Sequence, residues 1–230
     1  MPFLIAIAGP SCAGKSELSS RLSKRLDAPI LHLDSYYRDL SHMPLDARGL
    51  ANFDEPGSLD EPLLLAHIQA LARGQAVDKP VYDFARHARA AAVQRLAPSA
   101  VMIVEGLFAL HWPELRALYG ASIYIGARDE VCFERRKQRD IRERGRTPEC
   151  VREQYEATVR PMAERYVTPT SRFAGLVLDG EAPLSVSERQ ALHYLNSAMA
   201  GAPASNQAWQ ERQVEQSTSL SERAEASAPK

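Results

Sequence analysis

Gly9-Pro10-Ser11-Cys12-Ala13-Gly14-Lys15-Ser16 is the stretch from which the rest of this chain can be read. Its spacing, G-x-x-x-x-G-K-S, is that of a phosphate-binding loop. Gly9 and Gly14 lack a Cβ, so the backbone can bend through conformations other residues resist. The loop then aims several N–H groups at one point, and a helix starting near Gly14 adds its positive end. Lys15 can reach terminal phosphates, and the Ser16 hydroxyl can ligate the magnesium that accompanies them. The nucleotide-binding candidates are therefore Gly9, Ser11, Cys12, Ala13, Gly14, Lys15 and Ser16, with Glu17 beside them. Four fixed positions match by chance in roughly one sequence in a hundred of this length. The flanks add the context that chance lacks. Phe3-Leu4-Ile5-Ala6-Ile7-Ala8 is an apolar run suited to a buried parallel strand. Leu18, Leu22 and Leu26 then recur at helical spacing.

Composition narrows the class. A chain of 230 residues is long enough for one domain with a sizeable core. A formal net charge of −1 provides no global basic field for nucleic acid or an anionic membrane. No apolar run approaches bilayer length. The N-terminus reads as a core strand rather than a signal peptide. Cys12, Cys132 and Cys150 form no C-x-x-C pair, and they fit the reducing cytoplasm.

Beyond the loop, Pro29-Ile30-Leu31-His32-Leu33 reads as a second strand, ending in Asp34-Ser35-Tyr36-Tyr37. A carboxylate at the C-terminal end of a parallel strand lies along the working edge of an open α/β sheet. Residues 40–61 lack periodicity and contain Asn52-Phe53-Asp54 in a long loop. Glu61 to Arg73 has one apolar face and reads as a helix. Residues 76–95 form a short β-rich excursion. Val101-Met102-Ile103-Val104 is a third strand, ending in Glu105, where a carboxylate can hold magnesium through water. A short helix over Trp112–Tyr119 and a strand at Ile123-Tyr124-Ile125 follow. Asp129 to Arg146 is helical and basic, with Arg135, Arg139, Arg142 and Arg146 expected on one stripe and Glu134, Asp140 and Glu143 interleaved as surface pairs. Gly145 and Pro148 bracket its end, as a hinged lid over about 135–148 would require. Glu149 to Arg165 reads as a further helix, and Leu176-Val177-Leu178 as the last strand. A terminal helix near Ser187–Met199 closes a domain spanning residues 1–200. From Gly201 the chain turns rich in Ala, Ser, Gln and Glu, and a disordered tail is expected.

The motifs in this order resemble the uridine kinase family, within the phosphoribulokinase/uridine kinase group of P-loop kinases. The resemblance covers about residues 3–180. It rests on GPSCAGKS, DSYY at Asp34–Tyr37, NFDEP at Asn52–Pro56, PVYDFARHAR at Pro80–Arg89, VEG at Val104–Gly106 and RRKQRDIRERGR at Arg135–Arg146. Gln154-Tyr155 preceding Arg160-Pro161-Met162 completes the set. It implies a three-layer α/β/α fold with a mainly parallel sheet, a small β-rich substrate-binding excursion and a helical lid. It also implies phosphoryl transfer from ATP or GTP, with Mg2+, to the 5′-hydroxyl of uridine or cytidine. Asp34 is then the general base, and Asp54 with Arg136 the clamp on the ribose diol. Tyr82, Phe84 and His87 resemble the pyrimidine pocket, with Tyr37 and Phe53 beside it. Arg139, Arg144 and Arg146 resemble lid residues that touch triphosphate and substrate, and Gln154 a substrate contact. A homo-oligomer is expected by the same likeness.

Two departures stand out. Glu55 stands where the family usually has His, and Gly57-Ser58 where it has Asp-Ala. Ser11-Cys12-Ala13 replaces the common Ser-Gly-Ser, and little consequence is expected because only backbone is needed there. The residues leave two other readings open: another small-molecule kinase of the group, phosphoribulokinase-like, or a non-catalytic nucleotide-binding module. The first would not need the Tyr82, Phe84 and His87 aromatics. A GTPase-type switch lacks its N-K-x-D guanine-reading string here.

Overall fold

The computed structural model describes residues 1–49 and 51–201. The chain runs β1 (Phe3–Ala8), α1 (Lys15–Leu26), β2 (Ile30–His32), α2 (Leu45–Arg48), α3 (Glu61–Ala72), β3 (Val77–Asp83), β4 (Ala88–Leu96) and β5 (Val101–Glu105). It continues with α4 (Pro113–Arg116), β6 (Ala121–Gly126), α5 (Asp129–Arg144), α6 (Pro148–Gln154), α7 (Arg160–Met162), β7 (Leu176–Asp179) and α8 (Leu184–Ala200). Five strands form a parallel sheet in the order β2-β5-β1-β6-β7. The expected tail lies outside the described residues, apart from Gly201.

The central strand explains the layering. All of β1 is buried, and its side chains alternate between two faces. Leu4, Ala6 and Ala8 join an apolar cluster with Leu64, Ile68 and Leu71 of α3. Phe3, Ile5 and Ile7 join a second cluster with Leu18, Leu22 and Leu26 of α1 and Ala191, Leu195 and Met199 of α8. Helices on both faces of a parallel sheet make three layers. Among the described residues no helix is long and apolar enough to cross a membrane.

The β-rich excursion is an antiparallel hairpin of β3 and β4, standing apart from the main sheet. The loop over 40–61 holds α2 and a short 3-10 turn at Pro56–Ser58. The helix expected over 149–165 is not uniform. After α6 it widens into π-helical turns at Tyr155–Val159 and Ala163–Val167, with α7 between them, and tightens to 3-10 at Thr168–Phe173. Pro161 and Pro169 have no N–H to donate four residues back, so the regular ladder cannot run through them.

Candidate active site

Topology brings the sequence candidates to one edge. β1, β2 and β5 all end there, followed by the loop 9–14, the turn Leu33–Tyr36 and Gly106 respectively. Gly9 has φ 147°, and a Cβ on it would lie 2.0 Å from the Ile125 carbonyl oxygen, so no other residue fits. Lys15, the first residue of α1, is buried and donates to the Pro10 carbonyl at 2.9 Å, curling over the loop. Ala13 is buried, and Ser16 and Glu17 are exposed at the helix start. Cys12 has φ 63°. Contrary to the expectation of little consequence, this is a left-handed conformation that a side chain resists and glycine does not.

Beside the loop, Ser16 Oγ donates to Glu105 Oε1 at 3.4 Å. His32 Nδ1 lies 2.8 Å from Glu105 Oε2. His32 and Glu105 face each other in the β2–β5 register, which is why they meet. Burial pushes the Glu105 carboxyl up, but the His32 hydrogen bond and the Lys15 charge overcome it and hold it below its ordinary value. A hard carboxylate and a hydroxyl beside a phosphate loop suit magnesium, which takes oxygen ligands and keeps part of its shell from phosphate and water. Sequence reasoning read His32 only as a strand residue. The signal was there, because Leu31 and Leu33 point inward and leave His32 between them, two residues before Asp34.

Asp34 sits in the 3-10 turn after β2. Its carboxylate reaches solvent through the open side of the cleft. Protein packed around its other sides and the Glu105 charge nevertheless raise its pKa to about 6, against the pull of Lys15 and His32. The turn is fixed from behind by Arg89 of β4. Its Nε donates to the Tyr37 carbonyl at 2.9 Å, its Nη2 to the Tyr36 carbonyl at 3.1 Å, and its Nη1 to Asp60 at 3.1 Å.

The hairpin brings an aromatic cluster alongside. Tyr37 packs on Phe53 at 5.2 Å and on Tyr82 at 5.4 Å between ring centroids. Phe53 stacks on His87 at 4.9 Å, and Phe84 meets the Tyr82 edge with half its surface exposed. Among the described residues, Tyr82 Oη and His87 Nδ1 are buried without a hydrogen-bond partner. Burial pushes Tyr82 up to about 12. Burial, then Arg144 and Arg146, hold His87 below its ordinary value, which keeps the imidazole neutral at pH 7.

Asp54 and Arg136 come together as expected. Arg136 Nη1 lies 3.6 Å from Asp54 Oδ1 and donates to Ser11 Oγ at 3.1 Å. Both side chains are buried. Burial raises the Asp54 carboxyl, opposed by Arg136 and Arg139. The arginine stripe divides. Arg135 turns to the Gly180 carbonyl at 2.9 Å, and Arg142 is exposed beside Glu143. The helix stops at Gly145, so Arg146 leaves the stripe and bonds Gln154 instead. Arg136, Arg139, Arg144 and Arg146 gather instead around Asp140, which is fully buried and was read from sequence as one of the surface pairs.

Comparison with known proteins bears on the family and the fold. The family model described as "Phosphoribulokinase / Uridine kinase family" matches residues 4–183. A uridine kinase of Chloroflexus aggregans is 43% identical over 182 residues, covering 78% of this chain and 87% of its own length. A uridine kinase of Shewanella baltica is 41% identical over 182 residues, covering 76% and 86%. Among solved structures, a putative fructose transport system kinase from Silicibacter superposes with a TM-score of 0.61 at 25% identity, covering 76% of this chain and 89% of its own. The phosphoribulokinase of Rhodobacter spheroides gives 0.59 at 14% identity, covering 80% and 74%, which speaks to fold alone. With a parallel sheet, a phosphate loop at its carboxyl edge and this extent of likeness, the chain belongs to the phosphoribulokinase/uridine kinase family.

Proposed function

We propose that this protein is a uridine/cytidine kinase, transferring the γ-phosphoryl group of ATP or GTP to the nucleoside 5′-hydroxyl. The observation that carries the substrate class is the aromatic cluster with two buried, unpartnered polar atoms, Tyr82 Oη and His87 Nδ1, beside Asp34. Buried polar atoms without partners are costly and mark where a ligand supplies the missing bonds. In this reading a flat base packs against the aromatic cluster. A neutral imidazole donates in one tautomer and accepts in the other, so His87 admits either the carbonyl of uracil or the amine of cytosine.

In this reading the loop N–H groups and Lys15 hold the triphosphate. Ser16 and Glu105 would hold magnesium, and the metal would supply charge neutralisation for the transfer. The segment 135–148 acts as a lid, bringing Arg139, Arg144 and Arg146 to the phosphates and excluding water that would otherwise take the phosphoryl group. Gln154 supports Arg146. Asp34 accepts the 5′-hydroxyl proton as that oxygen bonds to the γ-phosphorus and the bond to the bridging oxygen breaks. Phosphoryl transfer has a loose transition state, so positioning and charge neutralisation do most of the work.

The test is kcat/KM for uridine and 2′-deoxyuridine in the wild type and in Asp54→Ala. Asp54 accepts from the ribose hydroxyls and Arg136 donates to their oxygens. A site that bonds a substrate hydroxyl rejects the analogue lacking it by up to about 10⁴–10⁵. The wild type should favour uridine strongly, though by less than that ceiling, because the Glu55 and Gly57 departures adjoin the clamp. The variant should lose activity mainly on uridine, so the two substrates converge. Equal use of both by the wild type would remove the ribose-clamp assignment. Failure to phosphorylate any pyrimidine nucleoside would remove the function.

A further inference from the structure

Asp140 is the most heavily engaged side chain of the site, yet it touches neither loop nor pocket. Its carboxylate is wholly buried, and four guanidiniums converge on it. Arg139 bonds Oδ1 at 2.9 Å, and Arg144 Nη1 stands 3.4 Å from the same oxygen. Oδ2 faces Arg136 Nε at 3.6 Å and Arg146 Nη1 at 3.7 Å, and among the described residues neither Oδ2 nor Arg136 Nε has a hydrogen-bond partner. The turn at Gly145 makes this possible. Gly145 has φ 63°, and the backbone N–H groups of Gly145 and Arg146 both return to the Asp140 carbonyl, folding Arg146 back onto its side chain.

In the kinase reading Arg139, Arg144 and Arg146 are the lid arginines assigned to the triphosphate, while the fourth, Arg136, pairs with Asp54 and also donates to Ser11 of the phosphate loop. We propose that Asp140 is a positioning residue that couples the two substrate sites through one shared carboxylate. The inference rests on the kinase reading above. Its physical basis is charge balance. Asp140 and Asp54 together do not neutralise four cations, and the crowding is felt. Burial and the like charge of Arg139 hold Arg144 below its ordinary pKa. A triphosphate brings the missing negative charge to Arg139, Arg144 and Arg146. Their hold on Asp140 then relaxes, and Oδ2 is left to Arg136. A firmer Arg136 is a better half of the ribose clamp, so donor binding tightens nucleoside binding. Thermodynamic linkage requires the reverse effect to be equal.

The experiment is titration calorimetry of uridine with and without a saturating non-hydrolysable ATP analogue and magnesium. The ratio of the two dissociation constants measures the coupling. We expect about 5-fold or more in the wild type, within the usual range for coupled sites, and a ratio near one in Asp140→Asn. Asp140→Glu keeps the charge and should retain more of the ratio than the amide does. A carboxylate that merely stabilised the fold would weaken both ligands and leave the ratio unchanged. Arg144→Gln covers the case in which Asp140→Asn does not fold, because it removes a half-exposed arm without emptying the buried site. It too should lower the ratio, not only the analogue's affinity. A wild-type ratio of one, or variants that bind both ligands with the wild-type ratio, overturns the proposal. Absence of uridine binding in the wild type overturns the kinase reading instead.

Discussion

A carboxyl with a pKa near 6 is ionised at neutral pH yet still basic enough to take a proton, and Asp34 holds that position at a cost to the fold. Its folded-state pKa lies above the unfolded value. The protonated form therefore contributes stability below about pH 4, and that contribution is lost as pH rises through 6. The full shift corresponds to about 3 kcal/mol, and solvent access to the carboxylate cuts the expected penalty to about 1 kcal/mol. Asp34→Asn should thus abolish turnover while raising Tm by about 2–4 °C at pH 7.5, with no gain at pH 4. In the wild type, kcat/KM for the nucleoside should fall below about pH 6. An equal Tm gain at both pH values would show that charge is not the cause. Cys12 holds a second local cost. At φ 63° it lies where a side chain is penalised by about 1–2 kcal/mol. Cys12→Gly should raise stability by up to about 1 kcal/mol after the flexibility of glycine is discounted, with kcat retained. A loss of stability would mean the thiol contributes packing that outweighs the strain. Lys15 and Ser16 were legible in the sequence from motif spacing, and Asp34 and Glu105 from their places at the ends of apolar strand runs. Asp140 was not. Helical periodicity places it among charged neighbours, and only the reversal at Gly145 and the closeness of the cleft show that this face turns inward.

At the scale of elements, the strands were the most legible, since continuous apolar runs have few alternatives to a buried parallel sheet. The hairpin was visible only as β-rich sequence. One of the ties that bind it to the rest is a side chain whose three bonds to distant backbone and carboxylate no periodicity encodes. Arg89 ties β4 to the turn that carries Asp34, and the rings of Tyr82 and His87 follow the hairpin. Hydrogen bonds from a charged group are worth about 1.5–3 kcal/mol each in favourable cases. Arg89→Ala should destabilise the protein by about 2–3 kcal/mol in denaturant unfolding, because the bonds share one ordering cost. It should also raise KM for uridine several-fold and leave KM for ATP nearly unchanged, since the phosphate loop lies on β1 and α1. A matching rise in both KM values would place Arg89 in the support of the whole sheet rather than of the hairpin. The segment 149–165 was read as one helix of regular spacing, whereas it is irregular from Tyr155 onward. Pro161 alters the hydrogen-bond register without altering that spacing.

For the whole molecule, stability resides in two apolar clusters, one on each face of the sheet, and their composition marks where the folded unit ends. One cluster runs from Leu4 to Val167 and the other from Phe3 to Met199, the last buried residue of α8. Among the described residues, α8 covers the β6–β7 side of the sheet and its apolar stripe ends within one turn of Gly201. Residues 202–230 offer little with which to extend either cluster. They are rich in Ala, Ser, Gln and Glu, with Trp209 as their single aromatic. Ordering such a segment costs about 1–2 kcal/mol per residue in backbone entropy, and its apolar area is too small to offset that. A chain ending at Gly201 should therefore keep the Tm of the full chain within about 1 °C, since among the described residues both clusters are complete by Met199. Its kcat and both KM values should also stay the same, because every proposed site residue lies between Gly9 and Gln154. Calorimetry and a coupled assay on the two chains side by side check both statements. A Tm drop of several degrees, or a selective loss of kcat, would mean that the last residues dock on the domain or on a second copy of it.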